Sequence, residues 1–188
     1  MRYPGILLTG LLAALLAAPV TARGGDTAEA QARQTASSSP RPTRQVVTSK
    51  AFSPAVIEFL QQPLAAQLVT INPNGTPQVT IMWFKYEDGA LLFTTTTDRV
   101  KFRNMQKDPR AALAVLDPAN MYKWVIVHGT LSVVDHHDPV AFYQGLARHY
   151  LNLDDAGVAE WRKTAMLDNR TVLKLTPTQI RTMGFPQE

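Results

Sequence analysis

The sequence predicts a mostly β domain, an antiparallel barrel with helices inserted between its strands. Several short segments alternate apolar and polar residues or are β-branched and apolar, as half-buried strands are. Turn signals such as Asn74-Gly75 and Asp88-Gly89 separate them at close spacing. The helical segments do not alternate regularly with the strands, which argues against a parallel sheet.

Local sequence signals support the predicted helices and strands. Ser53 and Pro54 suit the cap and first position of an opening helix. In the second strand Val79 and Ile81 alternate with polar residues, and Gly129 marks a bend or bulge in the longest strand. The strands are predicted at 65–71, 78–85, 91–96, 111–116, 122–134 and 170–175, with a further short one at 179–183. Helices are predicted at 54–60, 99–107, 139–150 and 158–167.

The short helix at 99–107 is cationic and follows a run of four threonines. Asp98 is predicted as its N-cap, and Asp108-Pro109 ends it after about two turns. Hydroxyls, backbone N–H groups and cations therefore meet at one helix start. That combination suits a phosphate or another anion.

The cations of this helix do not share one face. Arg99, Arg103 and Lys107 recur at every fourth position and form a stripe, which predicts a solvated surface for Arg103 and Lys107. Lys101 instead lies near Met105, on the side expected to be covered. Because lysine is seldom buried without a partner, Lys101 is a candidate ligand for an anion.

The positive charge of the chain lies outside its predicted folded part. Residues 1–50 hold six of the 19 basic and two of the 15 acidic residues, so 13 of each remain from residue 51 onward. A nucleic-acid-binding domain normally carries its surplus charge in the folded part, so no nucleic-acid partner is expected. The absence of cysteine excludes disulfides, thiolate metal sites and cysteine nucleophiles.

The first fifty residues are interpreted as a leader and a linker. Arg2 precedes an apolar run at 6–18, and small residues suit cleavage after Ala22, so residues 1–22 are predicted to be a signal peptide. The run is too short for a stable membrane span. Residues 23–50 are polar and predicted to be a disordered linker, and 51–188 the folded domain. If this signal peptide is functional, we expect an exported protein in the periplasm or outside the cell. If it is not, we expect a cytoplasmic protein.

The chain has no recognisable hydrolytic or metal motif. It lacks a phosphate-binding glycine loop, a dinucleotide fingerprint and a nucleophile elbow. Adjacent His136 and His137 are not expected to reach one ion together, and no carboxylate falls at metal-site spacing, so no metal is expected. An enzyme without reactive groups of its own needs a cofactor to carry the chemistry.

Four runs support a more specific assignment: GTPQVTIMWF at 75–84, LLFTT at 91–95, RVKFRNM at 99–105 and DPRAAL at 108–113. In this order they resemble the pyridoxamine 5′-phosphate oxidase-like split β-barrel superfamily, and most closely its branch that uses the deazaflavin coenzyme F-420. The resemblance extends over residues 53–184. It implies a six-stranded antiparallel split β-barrel of the FMN-binding type and a homodimer with two cofactor sites at the interface.

The resemblance also implies which residues bind the cofactor. They are Gln78, Trp83, Thr95, Thr96, Arg99, Val100, Lys101, Tyr122 and Trp124. The first two lie on the strand beneath the ring system, and the threonines lie at the strand end beside it. Arg99 and Lys101 match the basic pair that holds the cofactor phosphate. Tyr122 and Trp124 match a segment that reaches the site from the partner chain; no proton donor is implied.

The implied function is that of an oxidoreductase in which coenzyme F-420, or alternatively FMN, transfers hydride to a small unsaturated acceptor. Pyridoxamine phosphate oxidases carry an arginine on the second strand where this chain has Thr80, so that activity is not expected. Two other classes remain open. One is a non-catalytic module that holds a flavin, a deazaflavin or haem, and the other is a structural or interaction domain with an empty site.

Overall fold

The computed structural model describes residues 45–186. The predicted signal peptide at 1–22 and the predicted linker as far as residue 44 lie outside the described residues. Within the described range, none of the helices has the length and apolar character needed to cross a membrane.

The described residues form eight strands and four helices. The strands are β1 (Val47–Ser49), β2 (Ala66–Ile71), β3 (Pro77–Met82), β4 (Lys85–Glu87), β5 (Ala90–Thr96), β6 (Arg110–Asp117), β7 (Asn120–Val134) and β8 (Arg170–Met183). The helices are α1 (Pro54–Leu60), α2 (Val100–Lys107), α3 (Pro139–Leu151) and α4 (Asp155–Arg162). The six predicted strands are all present, and β1 and β4 are additional strands of three residues each.

The strands build one antiparallel sheet in the order β3-β2-β6-β7-β8-β5-β4. This confirms the predicted mostly β class with inserted helices. The two ends of the sheet, β3 and β4, are joined in sequence by only Trp83 and Phe84. The sheet therefore curls until its edges adjoin, and the barrel is split between β3 and β4.

The longest pair of strands contains the bulge that the sequence predicts. The register between β7 and β8 shifts between His128 and Gly129. A Cβ atom on Gly129 would lie 2.1 Å from the Thr176 carbonyl oxygen, so only glycine fits there. Beyond the shift, β8 continues as one strand to Met183, where two separate strands were predicted.

The hydrophobic core fills the inside of the barrel. Phe93 of β5, Leu113 of β6, Val125 of β7 and Leu173 of β8 are completely buried, and α1 adds Phe59 at 1% exposure. Complete burial of such a side chain contributes about 1.5–3 kcal/mol to folding. In β6 every second residue, Ala111, Leu113 and Val115, faces this core, although the strand is apolar throughout.

Two boundaries at the barrel edges differ from expectation. The predicted strand 78–85 breaks after Met82, and the apolar side of β3 faces outward, with Val79 58% and Ile81 62% exposed. Within the predicted linker, β1 pairs with 180–182 of β8. The linker assignment fails for these residues because β8 offers a free edge there, which local composition does not reveal.

The predicted helix at 158–167 is also misplaced. The observed helix α4 begins earlier, because the Asp154 carboxylate accepts a hydrogen bond from the Gly157 N–H at 2.8 Å and caps it. It ends at Arg162, five residues before the predicted end. The other three helices lie within a residue of their predicted bounds.

Candidate functional site

The cationic helix α2 begins without a side-chain cap. Its N-cap residue is Arg99, not the predicted Asp98, and no side chain accepts from the first N–H groups. Asp98 turns back instead: its carboxylate accepts a hydrogen bond from the Thr96 hydroxyl. This bond is the main reason why the pKa of Asp98 is lowered, with Arg99 and Arg103 adding to the effect. The helix start therefore keeps its N–H groups available to an anion.

Beside this helix start lies a cavity of about 300 Å³. It lies at the split of the barrel, between β3, β5, the start of β8, α2 and α3. Five of the predicted site residues line it: Trp83, Thr95, Thr96, Arg99 and Lys101. Residues as far apart in sequence as Trp83 and Lys101 thus line one cavity.

Lys101 is the most unusual residue of the cavity. Its exposure is 9%, which confirms that it lies on the covered side of α2. No hydrogen bond or ion pair to the Lys101 ammonium is formed by any residue in the range 45–186. Burial lowers the pKa of Lys101, the Arg99 charge lowers it further, and Asp98 opposes them. An anion in the cavity would relieve this cost.

A third cation, Arg170, lines the same cavity and was not predicted. Its guanidinium carbon lies 3.4 Å from the centroid of the Tyr143 ring, and Nη1 lies 3.5 Å from the Thr94 hydroxyl. Burial lowers its pKa, yet an arginine remains charged at neutral pH. Arg170 reaches the site because it pairs with Thr96 in the β5–β8 register, a long-range pairing without a local signal.

Helix α3 supplies an aromatic wall that the sequence analysis missed. Trp83 stacks on Tyr150 with ring centroids 5.2 Å apart, and the Tyr143 ring centroid lies 6.2 Å from that of Trp83. Trp161 of α4 packs edge-on against Tyr143. The cavity thus combines a cationic end with an aromatic side, which suits a planar ligand that carries an anionic group.

Gln78 lies behind the cavity and not in its lining. Its amide oxygen accepts from the Thr70 hydroxyl at 2.8 Å, and its amide nitrogen donates to the Thr80 hydroxyl at 2.6 Å. Thr80 lines the cavity. The buried Asn104 of α2 donates to the same Thr70 at 3.2 Å. This chain of hydrogen bonds fixes α2 relative to β3, so Gln78 has a positioning role within this protomer.

Three further predicted residues do not line the cavity of this protomer. Val100 is 44% exposed at the helix start. Tyr122 and Trp124 lie on β7, and Tyr122 is 43% exposed. Their assignment to the site of a partner chain stays a prediction. On the outer stripe of α2, Arg103 and Lys107 are exposed as predicted.

One expectation about histidine is wrong. His136 and His137 were not expected to reach one point together, yet their ring centroids lie 4.6 Å apart, and Glu87 joins them. The segment between β7 and α3 is irregular, so adjacent side chains need not point to opposite faces. The carboxylate comes from a hairpin about 50 residues away, which sequence spacing cannot show.

A split antiparallel barrel with a cationic, aromatic cleft defines a class of proteins that bind a planar, anionic cofactor. Residues 52–184 match the family model described as pyridoxamine 5′-phosphate oxidase, and the chain belongs to that family. The resemblance found in the sequence is thereby confirmed, together with the fold it implies.

Solved structures give the same assignment. The chain is similar to a protein described as an F-420 reductase, with 35% sequence identity over 65% of this chain and 93% of that chain, and a TM-score of 0.54. It also shares its fold with a conserved hypothetical protein of Mycobacterium tuberculosis, with 21% identity over 73% of this chain and 91% of that one, and a TM-score of 0.57.

Proposed function

We propose that this protein is an oxidoreductase that uses coenzyme F-420 to transfer hydride to a small unsaturated acceptor. The observation that carries the proposal is the uncompensated charge of the cavity, where Arg99, Lys101 and Arg170 meet and no acidic residue of the described chain lines the wall. The similarity to an F-420 reductase favours a deazaflavin over FMN.

The residues present fit such a cofactor. Lys101 and Arg99, beside the uncapped start of α2, would hold its phosphate, and the cost of the buried Lys101 charge would be offset there. Trp83 and the neighbouring residues of β3 would lie beneath the ring system. The bound deazaflavin supplies hydride transfer, and the chain supplies anchoring, orientation and exclusion of water.

The test is titration of the purified protein with coenzyme F-420 and separately with FMN. Lys101→Ala should weaken binding about ten- to hundredfold, because a charge-assisted hydrogen bond contributes about 1.5–3 kcal/mol. Lys107→Ala removes an exposed lysine from the same helix and is the matched control, with unchanged binding. Equal affinity in all three proteins would contradict the proposed phosphate site.

The remaining classes are outcomes of the same experiment. Tight FMN binding without deazaflavin binding would identify an FMN-dependent oxidoreductase. A bound, reduced cofactor that no added acceptor oxidises would identify a non-catalytic module. A colourless protein that binds none of these cofactors would identify a structural domain.

We also propose that the protein is exported through the segment 1–22. The apolar run at 6–18 and the small residues before Arg23 support this. Mass spectrometry of protein from its native host tests the proposal, since cleavage after Ala22 removes 22 residues. An intact N-terminus on cytoplasmic protein would contradict it.

A further inference from the structure

A second cluster of polar groups lies away from the cofactor cavity. Glu87 ends β4, and His136 and His137 lie in the irregular segment between β7 and α3. One ligand atom from each of the three residues lies within 4.8 Å of the other two. His137 Nε2 is 2.9 Å from Glu87 Oε1.

The spacing suits a small metal ion. A tetrahedral zinc ion binds nitrogen and oxygen at about 2.0–2.2 Å, which places its ligand atoms about 3.3 Å from one another. The three atoms therefore need only small side-chain rotations to surround an ion. The pair of imidazoles with one carboxylate is a donor set that zinc prefers over magnesium or calcium, which favour oxygen ligands.

A glutamate carboxylate is ionised at neutral pH, which is the form that binds a metal ion. Lys85 Nζ lies 2.6 Å from Glu87 Oε2, the oxygen that does not face His137. The Lys85 ammonium thus competes with a metal ion for the Glu87 carboxylate. A second lysine, Lys174, lines a small cavity together with His136.

We propose that Glu87, His136 and His137 bind a divalent transition-metal ion, with zinc as the best-fitting ion and water in the fourth position. The ion would join the β4–β5 hairpin to the start of α3. This helix carries Tyr143, which lines the cofactor cavity, so the metal would stabilise the aromatic wall from its base. The site is independent of which cofactor the protein uses.

The experiment is a calorimetric titration of chelator-treated, full-length protein with zinc chloride, with magnesium chloride as the comparison. We expect one zinc ion per chain and no magnesium binding. His137→Ala should weaken zinc binding at least about tenfold. His149→Ala is the control: it removes an exposed histidine of α3 that is not part of the cluster, and should leave zinc binding unchanged.

A second variant keeps the proposal testable if His137→Ala does not fold. Lys85→Met removes the competing cation, so zinc should bind severalfold more tightly than to the wild type. The thermal midpoint should then rise further on zinc addition, because the ion binds only the folded state. Unchanged zinc affinity in both Lys85→Met and the folded His137→Ala protein, or no binding by the wild type, would overturn the proposal.

Discussion

At the scale of single residues, Lys101 connects the sequence to the site. The helical wheel placed it on the covered side of α2, and the structure shows it at 9% exposure between Arg99 and the threonines of β5. Which group lies opposite a buried lysine is decided by tertiary packing. No carboxylate of residues 45–186 forms an ion pair with the Lys101 ammonium, although the Asp98 charge acts on it, and this leaves the ammonium for a ligand.

The affinity for an anionic cofactor should fall as the pH rises toward 10.5, the ordinary lysine value. Burial lowers the pKa of free Lys101 below that value, and a bound phosphate raises it again, so binding is strongest below the lowered pKa. The stability of the fold depends on pH in the opposite direction. The unfolded chain binds the Lys101 proton more tightly than the folded chain does, so this lysine makes the free energy of unfolding rise with pH in this range. Cofactor titrations at stepped pH test this; in Lys101→Ala the decline should vanish.

Asn104 is a second residue whose role only the structure reveals. Its amide donates to Thr70 at 3.2 Å and to Asn72 at 3.0 Å, and the side chain is 2% exposed. Asn104→Ala should lower the free energy of unfolding by about 1–3 kcal/mol, because it leaves buried acceptors unpaired. Urea denaturation measures the change. Gln106→Ala, at an exposed position of the same helix, should stay within about 0.5 kcal/mol of the wild type.

At the scale of elements, local sequence signals decide some boundaries of helices and strands, and long-range pairing decides others. The end of α2 at Asp108 and the bulge at Gly129 follow from residues that sequence reasoning identified. The early start of α4 and the strand β1 were missed. Asp154 caps α4 through its hydrogen bond from the Gly157 N–H, and β1 exists because the edge of β8 is available.

Helix α3 is held at its end by Tyr150. The hydroxyl donates to the Leu64 carbonyl oxygen at 2.9 Å and accepts from the Phe84 N–H at 3.2 Å, so it connects the helix to the split of the barrel. Burial raises the pKa of Tyr150 from 10.0 to about 12.

This raised pKa gives α3 a pH dependence. The neutral phenol is favoured in the folded state, so its contribution is complete below about pH 10 and lost as the pH rises from 10.0 to about 12. Unfolding curves across this range should show wild type losing stability relative to Tyr150→Phe, which carries no titrating hydroxyl. Parallel curves for the two proteins would show that the hydroxyl is not held as described.

At the scale of the whole molecule, the predicted homodimer stays a prediction, and the exposed apolar side of β3 is the surface on which it can be tested. Val79 and Ile81 are 58% and 62% exposed, and Met121 in the β6–β7 hairpin is 69% exposed. Exposed apolar surface of this kind is typical of an interface between copies.

Light scattering at micromolar concentration should therefore give a dimer for the wild type. The double variant Val79→Asp, Ile81→Asp should give a monomer, because charges are costly in a dry interface. Leu151→Asp changes an exposed apolar residue at the end of α3 and should remain dimeric. A monomeric wild type that binds cofactor fully would contradict the interface.

The sequence by itself determined the six main strands, the turns and the cationic helix, because each depends on patterns within a few residues, and the family, because four such runs occur in the right order. It also identified five residues of the cavity, since four of them lie in three of the runs that carry the resemblance and Thr96 directly follows one. Only the tertiary structure added Arg170 and Tyr143, turned Val79 outward and joined Glu87 to His137. These depend on strand register and helix packing between distant segments, where the free energy of pairing and burial, not local preference, decides which side chains meet.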